Sequence, residues 1–173
     1  IDFLPLTPMQ LQDVTNTKNV QKILLGGAPI SEVLEQALQT LKADIYHGYG
    51  MTETLSHVAL RKVNGKGKTP YYTALPGVNF YINNKECLCI HVPFIPHPIV
   101  TNDLVELLNE TTFIWKGRAD HVVISGGIKL FPEHLENKLA AYIPHPFFIA
   151  SISDIVLGEK LCLLIEAAQY SEE

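Results

Sequence analysis

Between Val20 and Tyr49 the chain passes through a strand pattern, a glycine turn, a helix pattern and a second strand pattern, an order that leaves few folds open. Val20 to Leu25 is a short apolar run that stops at Gly26, Gly27, Ala28 and Pro29. Ser31 then offers a capping oxygen to a segment whose apolar residues Leu34, Ala37, Leu38 and Leu41 recur at helical spacing. Asp44 to Tyr49 returns to the strand pattern. Neighbouring strands joined through a helix run parallel, so the first third of the chain is expected to belong to an α/β layer. Ligands of such sheets gather at the carboxyl ends of the strands, where both glycine-bearing turns fall.

Charge and hydropathy close off several function classes. Of 173 residues 47% are hydrophobic, enough for one medium domain or two small ones. The longest apolar runs, Ile149 to Ile152 and Leu161 to Ile165, fall far short of the roughly 20 residues that a bilayer-crossing helix needs, so no membrane span is expected. Thirteen Lys and Arg against eighteen Asp and Glu give a net charge of -5 with no basic block, which argues against a nucleic-acid surface. Cys87, Cys89 and Cys162 read as reduced, buried thiols of a cytoplasmic protein, the first two on one face of a strand. A nucleotide is still possible as a small ligand, and the oligomeric state is left open. The chain opens on Ile1, and Asp2 stands where a signal peptide would be basic. With the equally abrupt Ser171-Glu172-Glu173, this reads as a piece of a longer protein.

After the first third the texture changes. Arg61 to Tyr72, rich in Gly, Lys and Asn, reads as a mobile surface loop. Gly77 to Ile82, Glu86 to Val92, Leu104 to Leu108 and Thr112 to Trp115 are short runs of strand formers, which predict antiparallel strands in a small barrel or sandwich. From Val122 two short strands flank Ser125-Gly126-Gly127, and Pro132 with Glu133 opens a helix expected to reach Tyr142. Phe147 to Ile152 and Leu161 to Glu166 are further strand candidates flanking a turn at Gly158, and Leu161 to Ala168 also reads as a strand or a helix start. The expected organisation is an α/β part over 1–76, an antiparallel β part over 77–119 and a truncated α+β lobe over 120–173.

Tyr49-Gly50-Met51-Thr52-Glu53-Thr54 carries the densest chemistry. An aromatic face can stack on a base, and a hydroxyl can donate to a phosphate. A carboxylate can hold Mg2+ beside substrate phosphates. Gly50 would let the backbone approach the ligand. A plain turn between a strand and a helix would explain the same six residues.

Other residues narrow the choice. Trp115-Lys116-Gly117-Arg118-Ala119-Asp120, then Ser125-Gly126-Gly127, then Pro132, Glu133 and Glu136, resembles the hinge region of the adenylate-forming superfamily, which spans acyl-CoA synthetases, peptide-synthetase adenylation domains and luciferases. The Tyr49 to Thr54 run resembles that family's Tyr-Gly-x-Thr-Glu signature, Gly26 to Pro29 its adenine-side turn, and Thr101-Asn102-Asp103 its Thr-Gly-Asp, with Asn102 in place of glycine.

The resemblance implies that Tyr49 stacks on adenine, with Gly26, Gly27 and Ala28 along the ring edge and Gly50 close to the ligand. Thr52 would contact the α-phosphate, Glu53 would hold Mg2+, and Asp103 would accept from both ribose hydroxyls. Arg118 would bind nucleotide oxygens, and Asp120 would be the hinge between the adenylation and thioester-forming conformations. Gly126, Gly127 and Lys129 would lie on the coenzyme A side, and His57 near the acyl pocket. ATP or AMP, Mg2+, coenzyme A and a small carboxylic acid are the implied ligands.

The compact spacing from Glu53 to Gly77 and the Ser-Gly-Gly-Ile-Lys loop resemble most the o-succinylbenzoate-CoA ligase subgroup of menaquinone synthesis. The family's phosphate loop would precede Ile1 and its catalytic lysine would follow Glu173, so these 173 residues are expected to be inactive alone. A non-catalytic nucleotide-binding module and a peptide-synthetase adenylation domain are the alternatives.

Overall fold

In a computed structural model the described residues are 1–14 and 17–166, so Ala167, Ala168 and the Ser171 to Glu173 tail lie outside them. The chain divides into two compact units, Ile1–Trp115 and Lys116–Glu173.

The first unit is built on one sheet of nine strands. Its elements are β1 (Phe3–Leu6), α1 (Pro8–Asp13), β2 (Lys22–Leu25), α2 (Glu32–Leu38), β3 (Asp44–Gly50), β4 (His57–Lys62), β5 (Tyr72–Ala74), β6 (Asn79–Ile82), β7 (Cys87–His91), β8 (Ile99–Asn109) and β9 (Thr112–Arg118). The strand order is β1-β2-β3-β4-β5-β9-β8-β7-β6. β1, β2 and β3 are parallel, with Leu6 beside Leu25 and Leu25 beside His47. The antiparallel strands expected after Gly77 continue the same hydrogen-bonded sheet through β4 and β5.

Two cores follow this change of texture. Ile23, Leu25, Ile45, Leu38 and Val63 pack around the parallel strands, while Phe80, Leu88, Ile90, Val92 and Phe113 pack the antiparallel part. The Ser31 hydroxyl accepts from the Leu34 N–H at 3.2 Å and caps α2 as its sequence predicts. α1 and the short strands β1, β4 and β5 were not foreseen, because three- to six-residue elements carry too little periodicity to stand out.

The Arg61 to Tyr72 reading needs correction. Arg61 and Lys62 belong to β4, and Val63 and Asn64 are buried. Asn64 Oδ1 accepts from the Ile45 N–H at 2.9 Å, and its amide donates to the carbonyls of Ala43 at 2.8 Å and Leu41 at 3.3 Å. It thus satisfies carbonyls beyond the end of α2 and pins them to β3. The surface loop runs from Gly65 to Pro70, exposed throughout except at the half-buried Thr69. Cys87 and Cys89 are buried as expected, but Cys162 is only half-buried.

The second unit holds β10 (Val123–Ser125), β11 (Ile128–Leu130), α3 (Pro132–Leu139), β12 (Phe147–Asp154) and β13 (Gly158–Ile165). They form a four-stranded antiparallel sheet in the order β11-β10-β13-β12. The helix ends at Leu139, short of Tyr142, which is exposed.

Candidate nucleotide site

β2 and β3 are parallel neighbours, so the turn at Gly26 to Ala28 and the end of β3 at Tyr49 and Gly50 emerge at the same edge. The glycines here make room for side chain and backbone. A Cβ on Gly48 would sit 2.2 Å from His57 Cδ2, and one on Gly26 would sit 2.5 Å from His57 Nε2. The half-buried His57 imidazole, expected at an acyl pocket, therefore packs against both glycines. A Cβ on Gly50 would lie 2.3 Å from the Ser56 carbonyl oxygen, so the close approach that Gly50 permits is to its own chain.

Behind this edge lies a buried polar chain. The carbonyl of Ala28 accepts from His47 Nε2 at 2.9 Å, which fixes the tautomer, so His47 Nδ1 accepts from the Tyr72 hydroxyl at 2.7 Å. Burial pushes the His47 pKa down to about 4, and the ring stays neutral. Arg61 lies over the Tyr72 ring at 5.7 Å and donates to Glu35 Oε2 at 2.8 Å, while Lys68 reaches Glu35 Oε1 at 2.9 Å. Burial acts to raise the Glu35 pKa, but Lys68 and Arg61 outweigh it and hold the carboxyl below its usual range.

Tyr49 and Asp103, 54 positions apart, are joined directly. The Tyr49 hydroxyl donates to Asp103 Oδ2 at 2.5 Å, and the Trp115 indole N–H donates to Asp103 Oδ1 at 3.1 Å. The Asp103 backbone N–H donates to the Thr101 hydroxyl at 3.0 Å, which itself donates to the Leu88 carbonyl at 2.9 Å. Asn102, where the resemblance expects glycine, faces solvent within the continuous strand β8. Burial, reinforced by the Asp103 charge, pushes the Tyr49 phenol far above its usual range and keeps it a donor. Its ring meets Phe113 edge-on at 5.0 Å and Tyr72 at a tilt, and among the described residues no ring lies flat on it.

Beyond Gly50 a 3-10 turn spans Thr52–Thr54. Thr52 and Glu53 are exposed, whereas Thr54 is buried and holds the turn. Its hydroxyl accepts from the Met51 N–H at 2.9 Å and donates to the Ser56 carbonyl at 2.7 Å. Among the described residues no cluster of three or more His, Cys, Asp or Glu could hold a metal. A lone exposed carboxylate still fits Mg2+, which keeps most of its waters and is carried by substrate phosphates with one or two protein oxygens.

The remaining predicted residues lie in the second unit, which begins at Lys116 within β9. Arg118 and Asp120 form a two-bond pair, Nε to Oδ1 and Nη2 to Oδ2, both at 3.0 Å and both half-exposed. The Arg118 bonds hold the Asp120 carboxyl below the usual range. Gly126 and Gly127, with φ of 55° and 83°, form the two-residue turn of the β10–β11 hairpin. Positive φ at both positions is what that turn requires. Lys129 is exposed on β11. Glu133, at the start of α3, pairs with His121 at 2.5 Å.

Sequence reading passed over Trp115, His47, Tyr72 and Thr54 as site-building residues. Trp115 and Thr54 lie inside quoted motifs and His47 just before one, whereas Tyr72 lies outside them all, and its partnership with His47 appears only once β3 and β5 share a sheet.

Comparison with known proteins places the chain in a family. Residues 2–91, more than half of the chain, match the family described as AMP-binding enzyme. The chain belongs to that family. It is 27% identical over 190 aligned residues to the mouse mitochondrial acyl-coenzyme A synthetase ACSM4, covering 88% of this chain and 32% of that protein. It is 26% identical over 148 residues to a 2-succinylbenzoate–CoA ligase of Listeria monocytogenes, covering 72% of this chain and 31% of that one. The chain thus spans about a third of the length of these relatives. A solved acyl-CoA synthetase (AMP-forming)/AMP-acid ligase II-like protein from Dyadobacter fermentans superposes with a TM-score of 0.64 at 37% identity, covering 98% of this chain and 52% of that one. No helix among the described residues is long and apolar enough to cross a membrane.

Proposed function

We propose that the chain is the nucleoside-binding part of an ATP-dependent acid–CoA ligase. In this reaction an acid's carboxylate attacks the α-phosphorus of ATP and pyrophosphate leaves. A coenzyme A thiol then attacks the acyl-adenylate carbonyl, forming the thioester and releasing AMP. The observation that carries this reading is the buried Asp103 carboxylate held by Tyr49 and Trp115 in a chain of the AMP-binding family.

In this reading Asp103 accepts from the ribose hydroxyls, and adenine lies against Tyr49 beside the Gly26 to Ala28 backbone, steadied by His47. Thr52 donates to the α-phosphate and Glu53 supplies an oxygen to Mg2+ riding on the phosphates. Arg118, which gives two of its five N–H donors to Asp120, is assigned to nucleotide oxygens, and Asp120 to the hinge between the adenylation and thioester-forming conformations. Gly126, Gly127 and Lys129 are assigned to coenzyme A. His57 fills the space over Gly26 and Gly48, and its acyl-side role is limited to its exposed edge. The two named relatives support an acid–CoA ligase, with o-succinylbenzoate as the first acid to try.

The test expresses the chain with any sequence that adjoins it in its gene and supplies ATP, Mg2+, coenzyme A and a panel of acids. We expect ATP–pyrophosphate exchange and an acyl-CoA product with o-succinylbenzoate or another non-amino acid. Exchange with amino acids alone would move the assignment to a peptide-synthetase domain, and nucleotide binding without exchange to a non-catalytic module.

A further inference from the structure

Both oxygens of Asp103 are already engaged, one by the Tyr49 hydroxyl and the other by the Trp115 indole. An ionised carboxylate offers about four acceptor positions, two on each oxygen. One donor on each oxygen leaves one position on each, which is the pair a vicinal diol needs. The two donors also stop the carboxylate from turning about its last bond, since they reach it from β3 and β9. Asp103 is 7% exposed, so water replaces a lost donor poorly. Trp115 is the chain's only tryptophan, and a phenylalanine in its place would fill the space without donating.

Resting on the assignment of Asp103 to the ribose, we infer that Trp115 is a positioning residue that sets the sugar preference of the site. Its N–H fixes the carboxylate so that both ribose hydroxyls find an acceptor, and a sugar lacking one gains less. A tryptophan serving only as packing would weaken every nucleotide alike.

A single tryptophan permits a selective test. Growth on benzothienylalanine replaces the indole N–H by sulfur at position 115 alone. AMP, 2′-deoxy-AMP and 2′,3′-dideoxy-AMP are then titrated by calorimetry against both forms of the chain. We expect the native chain to favour AMP over the dideoxy nucleotide by roughly tenfold, in keeping with hydrogen bonds to a charged group. In the substituted chain that preference should fall to about threefold or less, with dideoxy-AMP binding unchanged. An undiminished preference would overturn the role of Trp115 and leave the nucleotide site standing. Absence of saturable AMP binding by the native chain would overturn the nucleotide reading, and the inference with it. If the substituted chain does not fold, the single indole N–H resonance of the native chain decides. It should move with Asp103→Asn and on adding AMP, and much less with dideoxy-AMP; an equal response to both nucleotides would overturn the proposal.

Discussion

Two carboxylates of the same candidate site sit in opposite surroundings. Asp103 is buried, bonded by two aromatic donors and anchored through Thr101 to the neighbouring strand. Glu53 stands exposed on a 3-10 turn held by the buried hydroxyl of Thr54. In the proposed assignment the nucleoside end is thus built by this chain before any ligand arrives, whereas the phosphate end offers a positioned turn and exposed groups. Preorganised, desolvated groups contribute more to recognition than exposed ones, because their geometry is set and water competes less.

The buried end should dominate the pH dependence of stability. His47 has a folded pKa of about 4 against an ordinary value of 6.5, so between these values the unfolded chain binds a proton that the folded chain refuses. Stability should therefore fall as the pH drops from 6.5 towards 4, by up to about 3 kcal/mol in denaturant titrations. His47→Gln should flatten that slope; an unchanged slope would place the titration elsewhere. Glu35, whose folded pKa is lowered, adds a loss only below the usual carboxylate range.

The two carboxylates themselves give the next largest contrast. Asp103→Ala leaves the Tyr49 and Trp115 donors without their acceptor and should cost about 2 kcal/mol in the same titrations. Glu53→Gln should change stability by less than about 0.5 kcal/mol, as exposed substitutions do. Equal losses would erase the distinction.

A smaller effect is expected at the glycine edge. Gly48→Ala drives a methyl into His57 and should cost about 1 to 2 kcal/mol, and His57→Ala in the same chain should recover most of it. Gly50→Ala meets the Ser56 backbone, so no side-chain deletion should rescue it. Rescue at both positions would refute the different causes assigned to them.

Much of this was legible in the sequence. The β2–α2–β3 order follows from a capping serine and a helical apolar stripe, and Tyr49 and Asp103 follow from motifs with distinct chemistry. The Trp115 bond was not legible, because it depends on how β3, β8 and β9 come together in one sheet. Asn64 was misread for a related reason: an Asn-Gly pair looks like surface turn until the carbonyls it must satisfy are known. That Gly26 and Gly48 also make room for His57 was not legible, because a sequence does not show which side chain will fill the space a glycine leaves.

The contrast between the two ends is tested most directly by calorimetric dissociation constants of adenosine and of ATP with Mg2+ for the 173-residue chain, measured at one pH and salt concentration. If the nucleoside end is built and the phosphate end rests on exposed groups, the two constants should agree within about threefold, since two exposed contacts at about 0.3 kcal/mol each sum to about 0.6 kcal/mol. Binding of the magnesium nucleotide more than about tenfold tighter than adenosine, or no binding of adenosine at all, would contradict it.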